Sequence, residues 1–129
     1  MTRVLLVGLG GFVGSAGRYL IALGMSRWWP AVGLQFATLA VNVAGCFLIG
    51  LLTTFADARG IVSPEVRGLM FVGVLGGFTT FSTFALETLE LGRSGATVVA
   101  AANVLFHIVG CLAAVWLGSQ AGRALWGAA

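Results

Sequence analysis

The polar side chains that fall inside the apolar stretches of this chain recur at helical spacing. Gln35, Thr38, Asn42 and Gly45 follow at i, i+3, i+7 and i+10, so they share one helix face. Asn103 and His107 stand at i, i+4, and Gly110 and Cys111 continue their face. Thr80, Thr83 and Glu87 form a hydroxyl stripe ending in a carboxylate, and Phe81, Phe84 and Thr88 form a second stripe beside it. These groups do not make a hydrolytic or redox centre. There is one histidine, no Cys–His pairing and no carboxylate pair within an apolar stretch. Enzyme chemistry is therefore not expected. Neutral amides and hydroxyls on two helices suit either hydrogen bonding between spans or a polar pathway. The Phe stripe by itself reads as packing. The alternative is that electropositive ring edges face an anion.

Between these groups lies a segment that is poor helix, Gly76-Gly77-Phe78-Thr79-Thr80. A break in a lipid-spanning helix frees carbonyls and N–H groups that must find partners. Free carbonyls suit a hard cation, and free N–H groups suit an anion. Upstream, Gly8, Gly10, Gly11, Gly14 and Gly17 follow an apolar run. The third glycine is misplaced for a dinucleotide fingerprint, and no acid appears until Asp57. Gly10-xxx-Gly14 instead reads as close helix packing. Arg18 lies on that small-residue face and has two open roles, snorkelling to the interface or capping freed carbonyls inside. Cys46 and Cys111 have no metal-ligand spacing and read as small packing residues.

The elements that must position these groups follow from composition. Of 129 residues, 59% are hydrophobic and 9% charged, with Arg supplying every basic charge. That is too little charge to coat a soluble domain of this size. The net charge of +3 comes from scattered arginines without a cluster, which argues against nucleic-acid binding. Four spans are predicted at roughly 4–24, 33–56, 66–89 and 95–120, each near the length that crosses the hydrocarbon. The expected fold is an all-α integral membrane domain over 1–129, helix three broken mid-span. Trp28, Trp29 and Pro30 read as an interfacial anchor and helix stop, and Ser63-Pro64 as a helix start. The first tract is read as retained rather than cleaved. Arg3, Arg59, Arg67 and Arg123 fall on one side, Arg27, Arg93 and Arg18 on the other. So even a division leaves orientation undirected and is compatible with dual topology.

Three motifs carry a family resemblance. Gly10-Gly11-Phe-Val-Gly14-Ser-Ala-Gly17-Arg18-Tyr19, Thr38-Leu-Ala-Val-Asn42-Val-Ala-Gly45 and Gly76-Gly77-Phe78-Thr79-Thr80-Phe81-Ser82-Thr83-Phe84-Ala85-Leu86-Glu87 resemble the signatures of the Fluc/CrcB fluoride channels. The resemblance implies an antiparallel, dual-topology homodimer with two fluoride pores in the bacterial cytoplasmic membrane. It implies that Phe81 and Phe84 turn ring edges to fluoride, that Asn42 is the pore asparagine with Thr38 nearby, and that Ser82, Thr83 and Glu87 form a polar track and vestibule. It places a structural sodium on the backbone carbonyls of Gly76 and Thr79, and makes Arg18 the helix-one arginine. Asn103 and His107 stand where the family commonly has Tyr and Ser. The imidazole of His107 is expected to make transport pH-sensitive. The rival expectation is a small dual-topology, proton-coupled multidrug exporter. It fits less well, because helix one carries Arg18 rather than a carboxylate and Glu87 lies late in helix three.

Overall fold

A computed structural model describes residues 1–30, 33–60 and 62–127. Among them every regular element is helical. The chain runs α1 (Thr2–Trp28), α2 (Gly33–Arg59), α3 (Pro64–Arg67), a π-helical segment (Gly68–Leu75), α4 (Gly76–Phe78), α5 (Phe81–Arg93) and α6 (Thr97–Trp126). Four stretches are long and apolar enough to cross a membrane: Thr2–Trp28, Gln35–Arg59, Pro64–Arg93 and Thr97–Trp126. Each extends past its predicted end by a few residues, because hydropathy marks the hydrocarbon core while helices continue into the interface.

Local chemistry sets the third span's start. Ser63 Oγ accepts the Val66 N–H at 3.3 Å, and Pro64 occupies the first helical turn, where its missing N–H leaves nothing unpaired. The next eight residues wind as a π-helix, a wider turn that is rare and local in most proteins. This segment lies against α1 through backbone rather than side chains. A Cβ at Gly73 would stand 2.8 Å from the Val7 carbonyl, and one at Gly14 would collide with the Val74 carbonyl. The small-residue stripe of α1 is therefore the seat of the third span.

The second tight seam joins α2 and α6. Their contacts advance together along the two chains, from Gly110 against Val43 to Gly50 against Val115 and Gly122 against Thr54, so the helices run parallel. Thr54 Oγ1 and Ser119 Oγ meet across it at 3.4 Å. At one end of the bundle Arg3 reaches Glu65 at 2.9 Å and Arg67 reaches Asp57 at 2.6 Å. These exposed pairs link the start of α1 and the end of α2 to the third span, each only weakly in water.

Candidate functional site

Between α4 and α5 the backbone leaves the helix. Thr79 (φ −85°, ψ 157°) and Thr80 (φ −152°, ψ 115°) are both extended. Gly76 and Gly77 themselves remain helical. Asn42 of α2 grips the exposed peptide from both sides. Its Nδ2 donates to the Thr80 carbonyl at 3.0 Å, and its Oδ1 accepts the Thr80 N–H at 2.8 Å. In an unbroken helix that N–H would bond the Gly76 carbonyl. Likewise the Thr83 N–H, which would serve the Thr79 carbonyl, turns to Thr80 Oγ1 at 3.3 Å. The Gly76 and Thr79 carbonyls thus lose their helical donors, and both residues border one hollow of about 140 Å³. Arg18 Nε, from α1, reaches the Gly77 carbonyl at 3.2 Å. Of its two open roles, the structure shows the cap.

Thr80 also starts α5. Its hydroxyl lies 3.0 Å from Thr83 Oγ1 and 3.2 Å from Ser82 Oγ, so the three hydroxyls form one cluster at the helix N-terminus. The positive end of a 13-residue helix therefore opens beside the break.

An open pocket of about 400 Å³ gathers Asn42, Thr79, Thr80, Phe81, Phe84 and His107. Phe81 is 77% exposed and Phe84 only 8%. Their rings meet edge to face, centroids 5.3 Å apart at 65°. Behind them His107 lies against Phe84 with centroids 4.2 Å apart. His107 Nδ1 is 3.0 Å from the Asn103 carbonyl, and a carbonyl only accepts, so Nδ1 carries a proton. The buried Nε2 has no partner among the described residues, and in the neutral ring it is a lone pair.

The remaining predicted residues sit further along α5. Thr38 Oγ1 donates to Glu87 Oε1 at 2.7 Å, with both residues buried. Glu87 Oε2 finds no donor among the described residues. Asn103 does not line the pocket. Its Nδ2 donates to Thr88 Oγ1 at 2.9 Å, which in turn donates to the Phe84 carbonyl at 2.8 Å. Asn103 is thus linked to the Phe84 backbone through Thr88. Thr80 enters the site mainly through its peptide, which residue type does not announce; the signal available was the Thr79-Thr80 doublet after two glycines.

A family model described as CrcB-like protein, Camphor Resistance (CrcB), matches residues 5–119. The chain belongs to the CrcB family. It is similar to proteins named fluoride-specific ion channel FluC. The one from Methylobacillus flagellatus is 44% identical over 120 residues, covering 93% of this chain and 94% of the relative. The one from Elusimicrobium minutum is 47% identical over 118 residues, 92% and 91% of the two chains. The one from Chlorobaculum tepidum is 44% identical over 126 residues, 98% of each. These CrcB relatives are named as ion channels, not as enzymes.

Proposed function

We propose that the protein is a passive, fluoride-selective channel of the bacterial cytoplasmic membrane, through which trapped fluoride leaves the cell and its toxicity is relieved. One observation carries this. The Phe81–Phe84 edge pair and the Asn42–Thr80 clasp share a single pocket at the N-terminus of α5. Fluoride is small and strongly hydrated, so a conducting site must replace its water without binding it too tightly. Electropositive ring edges, the second Asn42 N–H and a helix N-terminus supply partial positive charge. Among the described residues no arginine lines the pocket. Ser82, Thr83, Glu87 and Thr38 continue the polar path beyond it. No nucleotide or proton relay is required, because fluoride entering as its neutral acid dissociates inside and leaves down its own gradient. The multidrug exporter has no comparable support: the named relatives are fluoride channels, and among the described residues no carboxylate lines the pocket.

In this proposal the working unit is an antiparallel homodimer, which closes the open pocket with a second copy. The donor set at Gly76 and Thr79 fits a sodium ion. Gly76 and Thr79, whose carbonyls lose their helical donors, border one hollow, and hard cations take carbonyl ligands. Bound there, sodium would neutralise the carbonyl dipoles and hold the interrupted span in shape.

The test uses purified protein in liposomes with a fluoride electrode. Expected is rapid fluoride efflux that needs no proton gradient, excludes chloride, and falls at least tenfold in Phe81→Ile. Efflux that requires a proton gradient, or that passes chloride equally, would overturn the channel.

A further inference from the structure

Cys46 and Cys111 are packing residues by sequence, but the fold brings their thiols together. They face each other across the α2/α6 seam with the same offset as Thr54 and Ser119, about two turns further along. Neither thiol is in a disulfide, and both line the pocket that holds Asn42, Phe81 and Phe84.

We infer that Cys46 and Cys111 form a two-coordinate site for a soft, thiophilic divalent cation of the mercury(II) type, and that occupancy blocks the pocket. Softness selects the class of metal, since sulfur is the only donor pair present. Coordination number narrows it. No group of three His, Cys, Asp or Glu residues able to hold a metal exists among the described residues, so a tetrahedral ion such as zinc lacks ligands. Mercury(II) accepts two thiolates in a line. Charge narrows it again. Binding follows Hg²⁺ + 2 RSH → Hg(SR)₂ + 2 H⁺, and the bridge is neutral. A silver(I) or copper(I) bis-thiolate would leave one negative charge at membrane depth, which is costly there. Mercury(II) also reaches this depth readily as neutral mercuric chloride. Once bridged, the metal stands on the pocket wall one turn from Asn42.

The assay for the site does not depend on fluoride. Purified protein is titrated with mercuric chloride, and the thiols left reactive are then counted after unfolding. One equivalent per chain is expected to protect both thiols, with zinc protecting neither. Cys46→Ser and Cys111→Ser are each expected to bind at least about 100-fold more weakly, the loss of a second linked ligand. In liposomes one equivalent should stop fluoride efflux, judged against each variant's own unblocked rate, and excess dithiothreitol should restore it. Two equivalents per chain, equal affinity in the single-thiol variants, or a mercury-linked dimer on a non-reducing gel would overturn the site. Full occupancy with undiminished efflux would overturn the block. Vesicles that carry no fluoride at all would sink the proposed channel while the stoichiometry still decides the metal site.

Discussion

Asn42 commits both ends of its amide to a single residue, the backbone of Thr80. Deleting it leaves the half-buried N–H and carbonyl of Thr80 without these partners, at no more than about 1–3 kcal/mol each. Asn42→Ala should therefore lower the melting temperature in detergent as well as efflux. A variant that melts with the parent would show that the clasp holds nothing. His107 supports a second prediction. Its Nδ1–H is committed to Asn103, so the neutral ring offers only a lone pair to the pocket, and an anion meets a donor only when the ring is protonated. The groups around it are uncharged: Phe84 from α5, Asn42 and Cys46 from α2, Asn103 and Cys111 on its own helix. Glu87, one turn beyond Phe84, is engaged by Thr38. His107→Ala removes both the Asn103 bond and the ring packed on Phe84, and should lower fluoride efflux measured at one fixed pH. At this scale spacing set Asn42 on a polar helix face, whereas Phe81 and Phe84 read as packing by themselves and became pore candidates only through the family resemblance. It could not reveal that two cysteines on different spans line one pocket, since that depends on helix register.

At the level of elements, hydropathy located the four spans, and Ser63-Pro64 marked a helix start that the structure shows capped. The π-helical segment was illegible. Its wider turns arise from how the third span fits against α1, and no residue in Gly68–Leu75 encodes them alone. Glycine and threonine doublets flagged weak helix around residues 76–80, yet not which peptides would be extended. Contact with α1 keeps Gly77 helical, and Asn42 draws out Thr80. Gly14→Leu tests the first contact. Its side chain would meet the Val74 carbonyl, part of a backbone that cannot rotate aside, so the variant should fail to yield folded protein, seen as loss of the monodisperse peak in detergent. Thr80→Val tests the helix start. It removes the cap at Thr83 N–H, costing about 1 kcal/mol, and disperses the hydroxyl cluster.

For the molecule as a whole, exposed apolar surface dominates. Val98, Leu112 and Trp116 on α6 are 83%, 65% and 60% exposed, and Phe81 on α5 is 77% exposed. Lipid suits the first three. Phe81 borders the pocket beside the Asn42–Thr80 clasp, and in the proposed homodimer a second copy would cover it. Light scattering in detergent should then give twice the protein mass of 13.3 kDa, and a single-chain mass would remove the dimer from the proposed mechanism. The broken span has one more consequence, for biogenesis. A helix with two extended peptides cannot satisfy itself in lipid. Here the missing partners are Arg18 and Asn42, from α1 and α2. Both lie earlier in the chain, so the ribosome releases the two clamps before the segment that needs them. The order of synthesis is thus the order of assembly, and a circular permutant that delivers Pro64–Arg93 first should insert poorly although every contact is preserved.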